Sequence, residues 1–341
     1  MKANLTSIIE SFSKHQVMII GDVMIDSYLW GKVERISPEA PVPVITGTSE
    51  ENRLGGAANV SLNIQSLGAN PILCSVIGND AYADTFFGLL EDQAMTNKGI
   101  MRDKERVTTV KTRVISNHQH LLRVDREIDT PLSPDIEQRF INHILAVLNQ
   151  NHISAIIFED YDKGSITPQV INAIVYEANK RKIPTLVDPK KRNFNAYHDI
   201  SLFKPNFKEL VEGLKVEASK SSPESLQAAA QLLHREKNIG LVMITLSEAG
   251  VFMSNGEKYK IMPAHIRAIA DVSGAGDTVI GIASLCLASG LDPFITAAIA
   301  NTAGGLVCEK IGVVPIEKAR LMEELRLLEN DSKFGLYSND L

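Results

Sequence analysis

The 341-residue chain is poor in cysteine and aromatic residues and has no excess of positive charge. Its three cysteines are odd in number and form no Cys-x-x-Cys pair, which argues against a disulfide framework and indicates a reduced, cytoplasmic protein. Lys and Arg number 35 against 41 Asp and Glu, so the net charge of -6 provides no broad basic field for nucleic acid or an anionic membrane. Any anionic ligand must therefore be held by a local site.

The chain also lacks a hydrophobic run long enough to span a membrane. Its N-terminal segment is amphipathic and interrupted by charges, so it has no signal-peptide core. Two charge-free stretches, 278–291 and 293–308, are separated by Asp292 and Pro293, and each falls short of the ~20 apolar residues that a span requires. We expect both to form buried core helices.

Short runs rich in Val and Ile alternate with longer segments of helical period. This alternation predicts an α/β fold, a doubly wound and mainly parallel sheet flanked by helices. Residues Asp135–Leu148 carry an apolar stripe at helical spacing and predict an amphipathic helix. The predicted buried strands are Val17–Ile20, Pro71–Ile77, Ala155–Phe158, Pro184–Val187 and Leu241–Thr245.

Two segments depart from this rhythm, residues 28–47 and 106–125. The second contains two β-rich runs on either side of a polar turn, the pattern of a hairpin. We predict that both segments form a small β-sheet flap over the strand ends, where open α/β sheets bind ligands. The expected organisation is a single domain over residues 1–332 with this flap, followed by a frayed tail at 333–341.

The strongest local motif is Asp271-Val-Ser-Gly-Ala-Gly-Asp277, followed by an uncharged helical segment. Gly274, Ala275 and Gly276 allow backbone N–H groups to converge on an anion at a helix N-terminus. Asp277, in the first turn, is suited to accept a proton from a substrate hydroxyl. The alternative is a glycine-rich turn with a capping Asp. The Rossmann fingerprint and the Walker A motif are both absent.

A second group of candidates lies near the N-terminus. Gly55 and Gly56 precede a helix in which Asn59 can bind a polyol, although tight packing of a helix on a strand explains the glycines equally well. Asp22 and Asp26 follow the first strand, at the edge of the sheet where sugar hydroxyls would bind. A carboxylate after a strand is otherwise a common turn residue.

Together these motifs resemble those of the ribokinase-like (PfkB) carbohydrate kinases over nearly the full chain. The resemblance rests on the double glycine, Asn206-Phe-Lys-Glu209, Thr245-Leu-Ser-Glu-Ala-Gly250 and the late Asp271–Asp277 motif, in the same order and spacing. It implies an enzyme that uses ATP and Mg²⁺ to phosphorylate a sugar hydroxyl. A sugar-phosphate sensor that keeps the fold without catalysis is the alternative of a different class.

The resemblance also implies roles for individual residues. Asp277 is the expected base, with Gly274, Ala275 and Gly276 as the anion hole. Asn206 and Glu209 are expected to organise Mg²⁺ and the triphosphate. Asp271 is expected to lie near a site for a monovalent cation such as K⁺. The expected sugar contacts are Asp22, Asp26, Gly55, Gly56 and Asn59, and the expected nucleotide contacts are Thr245, Ser247, Gly250, Asn301 and Lys190.

Within that family, Arg35-Ile-Ser-Pro-Glu-Ala-Pro-Val-Pro-Val44 and Asp160-Tyr-Asp-Lys-Gly164 resemble the D-glycero-β-D-manno-heptose 7-phosphate kinases of ADP-heptose and lipopolysaccharide core biosynthesis. The implied reaction is phosphorylation at O1 to the 1,7-bisphosphate. Kinases of the same family that act on ribose, fructose 1-phosphate or a nucleoside remain the alternative. No His-x-Gly-His motif of a fused nucleotidyltransferase occurs, so we expect kinase activity alone.

A sugar phosphate requires local cations, and Lys111, Arg113 and Arg123 alternate along the flap strands. They are candidates for binding the phosphate, with a solvated face as the alternative. The flap also carries apolar residues, Val33, Ile36, Val42 and Val44 among them, that would otherwise face water. We therefore predict a homodimer formed through the flap.

Overall fold

The computed structural model describes residues 5–117, 119–264, 269–310 and 312–330. The predicted tail, 333–341, lies outside the described residues. The helices are α1 (Leu5–Ser11), α2 (Ala57–Ser66), α3 (Ala81–Asp92), α4 (Pro134–Gln150), α5 (Pro168–Lys180), α6 (Phe207–Leu214), α7 (Pro223–Lys237), α8 (Ala275–Ala288), α9 (Pro293–Val307) and α10 (Lys318–Asn330). The strands are β1 (Gln16–Gly21), β2 (Val23–Ile36), β3 (Pro43–Gly56), β4 (Asn70–Gly78), β5 (Ile100–Asp103), β6 (Val110–Ser116), β7 (Gln119–Arg126), β8 (Ala155–Glu159), β9 (Thr185–Asp188), β10 (Leu202–Phe203), β11 (Leu241–Thr245), β12 (Val251–Ser254) and β13 (Tyr259–Met262).

The main sheet has the strand order β13-β12-β11-β10-β9-β8-β1-β4-β5 within the described residues. Pairing from β5 through to β11 is parallel, whereas β12 and β13 add an antiparallel edge. The central strands are buried along most of their length because helices cover both faces of the sheet. The predicted doubly wound class is confirmed.

Two hydrophobic cores lie on opposite faces of this sheet. One is formed with α1, α2, α3, α8, α9 and α10, and the other with α4, α5, α6 and α7. Helices α8 and α9 are buried over most of their length, as the charge-free stretches predict. No helix among the described residues combines the length and apolar character needed to cross a bilayer.

A separate small sheet has the order β3-β2-β6-β7. It is the predicted flap, but its strands reach further than the sequence indicates: β2 begins at Val23 and β3 continues to Gly56. The difference arises because only Asp22 separates the end of β1 from the start of β2, so the apolar residues of the two strands appear as one stretch in the sequence. Residues 106–109, predicted within the flap, lie outside its strands and lead into β6.

Candidate active site

The candidate site lies where the parallel strands of the main sheet end. The carboxyl ends of parallel strands meet at one edge, so residues distant in sequence become neighbours there. β8 ends at Glu159 and β9 at Asp188, and Lys204 directly follows β10. Helix α8 begins at Ala275 and brings Asp277 to the same edge in its first turn.

Asp277 is the centre of this arrangement and is 5% exposed. Its Oδ2 accepts a hydrogen bond from Nδ2 of Asn59 at 2.7 Å, and its Oδ1 accepts one from the Tyr161 hydroxyl at 2.7 Å. Burial raises the pKa of Asp277 to about 6, against the opposing effect of these two hydrogen bonds. A carboxylate with this pKa is ionised at neutral pH, yet it is basic enough to take a proton from a hydroxyl.

Glu159, Asp188 and Asp277 form a buried acidic cluster whose oxygens lie within 4.8 Å of one another. Nζ of the buried Lys204 lies 2.6 Å from Oδ2 of Asp188. Burial, and then the charge of Asp188, raise the pKa of Glu159 well above its ordinary value. Oε2 of Glu159 is buried and has no hydrogen-bond partner. Closely spaced carboxylate oxygens, one of them unsatisfied, give this region the donor chemistry and negative charge that suit a divalent cation.

The loop before α8 has the form expected of an anion-binding turn. Gly274 has φ +80°, and a Cβ there would lie 2.9 Å from Nδ2 of Asn59, so glycine is required both by conformation and by space. The first-turn N–H groups of α8 lack acceptors within the helix and are directed out of its N-terminus. Oδ1 of Asp271 accepts hydrogen bonds from the backbone N–H and the hydroxyl of Ser273, and its Oδ2 accepts one from Gly312 N.

Asp26 lies on β2 of the small sheet and is buried. Its Oδ1 forms an ion pair of 2.5 Å with Nη1 of Arg113, one of the predicted phosphate-binding cations. A Cβ on Gly55 would lie 2.3 Å from Oδ2 of Asp26, which explains the first glycine of the pair as a close approach. Gly56 has φ +61° and precedes α2, on which Asn59 lies.

Asp22, predicted as a sugar contact, is bonded to the backbone of the loop that follows β8. It is 1% exposed, and its carboxylate accepts backbone N–H bonds from Tyr161, Lys163 and Ser165 at 2.9 to 3.1 Å. With its oxygens engaged in this way, it anchors the loop after β8.

The three predicted cations lie on neighbouring strands of the flap, with Arg113 directly opposite Arg123 in the pairing of β6 with β7. Lys111 and Arg113 are both about half-buried on β6, next to the strand that carries Asp26. Burial lowers the pKa of Lys111, against the opposing charge of Glu127. Arg123 instead lies on the edge strand β7, paired with Asp125, and its side chain is 58% exposed.

The predicted nucleotide motif forms the start of α6. Asn206 and Glu209 make a reciprocal capping box, in which each side chain accepts a hydrogen bond from the other's backbone N–H at 2.9 Å. Glu209 also forms an ion pair with Lys190, and Nζ of Lys190 lies 5.8 Å from the centre of the Tyr161 ring. Lys190 and Glu209, both predicted to act at the nucleotide, are therefore paired with each other.

The remaining predicted nucleotide contacts lie beyond β11. Thr245 ends that strand and pairs with Asn206 in an isolated bridge. Ser247 and Gly250 belong to the tight turn into β12, where a Cβ on Gly250 would lie 2.0 Å from the Met262 carbonyl oxygen. Asn301 donates from Nδ2 to the carbonyl oxygens of Met262 and Pro263. These contacts connect α9 with the end of β13.

Four residues of the site carry no role in the sequence-based prediction: Glu159, Tyr161, Asp188 and Lys204. Glu159 and Asp188 come directly after the predicted strands Ala155–Phe158 and Pro184–Val187, so their position after a strand is the signal that could have found them. Lys204 follows only the two-residue β10, which gives no such signal. The hydroxyl of Tyr161 reaches Asp277 only through the tertiary fold, 116 positions away in sequence.

The sheet, the helix N-terminus and the buried carboxylate define a sugar kinase of the ribokinase-like class. The chain belongs to the pfkB family of carbohydrate kinases, whose family description it matches over residues 14–319. It is thus a phosphotransferase with an alcohol group of a sugar as acceptor, and the family implies ATP and a divalent metal.

Among curated proteins the chain is similar to bifunctional proteins HldE. It is 38% identical to that of Methylobacillus flagellatus, over 91% of this chain and 63% of the relative. It is 36% identical to that of Pelobacter propionicus, over 100% of this chain and 69% of the relative. The chain therefore spans about two thirds of the length of these relatives.

Solved structures share the fold at low sequence identity. Phosphofructokinase-2 from Escherichia coli in complex with fructose-6-phosphate superposes with a TM-score of 0.73 at 18% identity, covering 92% of this chain and 99% of that one. Arabidopsis thaliana ribokinase complexed with ribose and ATP gives a TM-score of 0.66 at 16% identity, covering 91% and 99%.

Proposed function

We propose that this chain transfers the γ-phosphoryl group of ATP to O1 of D-glycero-β-D-manno-heptose 7-phosphate. The product would be the 1,7-bisphosphate, an intermediate toward ADP-heptose and the lipopolysaccharide core. The observation that carries the phosphotransfer is the buried Asp277 at the N-terminus of α8. The heptose substrate is supported by the 36 to 38% identity to bifunctional HldE proteins and by the Arg35–Val44 string on the flap.

In this mechanism Asp277 accepts the proton of the attacking hydroxyl. Asn59 and Tyr161 hold its two oxygens, leaving the remaining lone pairs for the substrate. Asp26 lies beside the acceptor pocket and would bind sugar hydroxyls, with Arg113 fixing its orientation. Burial of the base excludes water, which would otherwise compete with the sugar as acceptor.

On the nucleotide side, the N-terminus of α8 would stabilise the charge that develops on the transferred phosphoryl group. Lys190 would contact the phosphates, and Glu209 together with those phosphates would hold Mg²⁺. When bound, Mg²⁺ would supply positive charge that neutralises the charge of the nucleotide phosphates. Because Lys190 and Glu209 form an ion pair with each other, we expect ATP and Mg²⁺ to compete with that pair.

Lys111 and Arg113 are the best-placed cations for the 7-phosphate. Both lie on β6 beside Asp26, and desolvation strengthens their attraction for a phosphate. Arg123 is the weaker candidate because it is exposed on the outer strand.

A panel of sugars tests the substrate assignment. ADP release is measured with ATP and Mg²⁺ for heptose 7-phosphate, fructose phosphates, ribose and adenosine. We expect the heptose phosphate to be preferred by at least about tenfold in kcat/KM, equivalent to about 1.4 kcal/mol of transition-state binding. Preference for another sugar would overturn the heptose assignment alone. Binding of sugar phosphates without turnover of any of them would favour the sensor.

A monovalent cation such as K⁺ is a further proposed cofactor. The Escherichia coli phosphofructokinase-2 has been solved in complex with potassium. In this chain Asp271 precedes the anion-binding turn, and hydrogen bonds from Ser273 and Gly312 lower its pKa despite the opposing effect of burial. Replacing K⁺ with tetramethylammonium should lower the rate at constant ionic strength, and an equal rate would remove K⁺ from the proposal.

We further propose that two copies pair through the small sheet. Leu122 is 59% exposed and Val124 is 52% exposed on the edge strand β7, and Ile36 and Val42 at the tip of the β2–β3 hairpin are 60% and 51% exposed. An edge strand with this much apolar surface is a liability unless a partner covers it. A second copy would cover both features at once.

A further inference from the structure

The loop that follows β8, Asp160–Ser165, is held more firmly than its lack of regular secondary structure suggests. Asp22 draws together three of its backbone N–H groups, those of Tyr161, Lys163 and Ser165. Asp22 comes directly after β1, which pairs with β8 in the main sheet. One buried carboxylate thus fixes alternate residues of the loop to the rigid part of the fold.

Other anchors act on the same loop from different sides. Arg106, 8% exposed, donates to the carbonyl oxygens of Lys163 and Thr130. Asp160 accepts hydrogen bonds from Nδ2 of Asn193 at 2.9 Å and from the Tyr197 hydroxyl at 3.2 Å. The loop is therefore held in place by residues from three separate parts of the chain.

The outcome of this anchoring is the position of Tyr161. Its hydroxyl donates to Oδ1 of Asp277 at 2.7 Å, while Asn59 occupies Oδ2 at the same distance. The aromatic ring lies beneath Nζ of Lys190, 5.8 Å from the ring centre. With a donor on each oxygen, the carboxylate of Asp277 is fixed in rotation and keeps its lone pairs in a defined direction.

We propose that Tyr161 is a positioning residue for phosphoryl transfer, which orients the carboxylate of Asp277, and that Asp22 acts through the loop to hold Tyr161 in place. The inference rests on the proposed role of Asp277 as the base. It gives Asp22 a function other than the sugar contact predicted from its place after β1.

The electrostatic surroundings explain why such a donor is needed. Asp277 faces Asp188 at the end of β9 and Glu159 at the end of β8, and both carboxylates disfavour a further negative charge. The positive charge of Lys204, after β10, lowers the pKa of Asp277, and Asn59 on α2 donates a hydrogen bond to it as a neutral group. Lys190 stands on the far side of the Tyr161 ring. Loss of the phenol would leave the base with one donor and two repelling neighbours.

The test is the pH dependence of kcat/KM for Tyr161→Phe, measured with whichever sugar best supports ADP release. A lost hydrogen bond to a charged group should lower kcat by roughly tenfold to a hundredfold. The acid limb of kcat/KM should move to higher pH by about one unit. KM for the sugar should stay nearly unchanged, because Tyr161 acts through Asp277 rather than on the substrate.

Tyr197→Phe is the matched control. It also removes a buried phenol that donates to a carboxylate, but that carboxylate is Asp160 and not the base, and Asp160 keeps its hydrogen bonds from Nδ2 of Asn193 and from the backbone N–H of Asp162, which still hold the loop. Its thermal stability should fall as much as that of Tyr161→Phe while its pH profile follows the wild type. Asp22→Asn is the second variant: it disturbs the loop remotely and should shift the acid limb in the same direction as Tyr161→Phe.

Four outcomes would overturn the inference. An unchanged acid limb in Tyr161→Phe, with an active wild-type protein, refutes the positioning role and leaves the kinase assignment intact. A rise in KM with kcat unchanged would make Tyr161 a substrate contact instead. An identical shift in Tyr197→Phe would reduce the effect to general destabilisation. If no sugar supports turnover by the wild type, the proposed function itself fails and the inference falls with it.

Discussion

Replacement of Asp277 by Asn should separate catalysis from stability. The variant keeps the size and shape of the side chain but has no carboxylate to take the proton of the sugar hydroxyl. Loss of a general base typically costs ~10²–10⁴ in rate, so kcat should fall by that factor while binding of ATP and sugar is nearly intact.

The same substitution should stabilise the free protein at neutral pH. Burial raises the pKa of Asp277 from 3.8 to about 6, so the ionised group is less favourable in the folded than in the unfolded chain. At 1.36 kcal/mol per pKa unit the cost above pH 6 is on the order of 3 kcal/mol, an upper bound for the gain. The favourable contribution of the raised pKa is fully present below pH 3.8 and is lost as the pH rises through about 6.

Urea unfolding at two pH values measures this difference. Asp277→Asn should be about 1 to 3 kcal/mol more stable than the wild type at pH 8, and the gap should close toward pH 4. Asp84→Asn, at a side chain that is 72% exposed and remote from the site, is the control for activity and should retain the wild-type rate. A stability difference that is the same at both pH values would refute the reasoning from burial, and an unchanged rate would remove Asp277 from the mechanism.

Other parts of the account can be tested independently. Glu209→Gln keeps an oxygen for the capping box with Asn206 but loses the charge, so the Mg²⁺ concentration for half-maximal activity should rise about tenfold at nearly constant Tm, whereas Glu209→Ala should lower Tm as well. Gly250→Ala places a Cβ at φ +90° and 2.0 Å from the Met262 carbonyl oxygen, and should cost about 1 to 3 kcal/mol of unfolding free energy in urea titrations; an unaffected midpoint would contradict this. Leu122→Glu on β7 should yield monomers in sedimentation velocity at micromolar concentration, while Leu327→Glu on α10, a position 63% exposed, should sediment as the wild type; a wild-type protein that is only monomeric refutes the dimer. For the wild type, kcat/KM should rise through a pKa of about 6 and then level off, and a profile flat from pH 5 to 8 would exclude Asp277 as the titrating base.

The main sheet could be predicted because its strands are buried on both faces. Val17–Ile20 and Ala155–Phe158 read as continuous apolar runs, and the structure extends each by only one or two residues. The two-residue β10 has no such run, so it leaves no pattern to detect. The predicted flap begins at residue 28, whereas β2 begins at Val23, because β1 and β2 share one apolar stretch around Asp22.

The site was predictable where the chemistry is local in sequence. Gly274 and Asp277 lie three residues apart, and the glycine-rich turn before an uncharged segment predicts a helix N-terminus. The partners of Asp277 are not local: Asn59 is 218 positions away and Tyr161 is 116 away, and only the packing of α2 and the loop after β8 brings them together. The hydrogen bonds from the loop after β8 to Asp22 could not be predicted either, because backbone N–H groups leave no signature in a sequence.

The most direct test of the central claim is to identify the atom that receives the phosphoryl group. The protein is incubated with ATP, Mg²⁺ and D-glycero-β-D-manno-heptose 7-phosphate, and the product is followed by ³¹P NMR with coupling to the sugar protons. The account predicts one new phosphate ester, coupled to the proton on C1, that appears in step with ADP and is absent with Asp277→Asn. A new ester on another carbon, or ADP formed together with free phosphate alone, would contradict it.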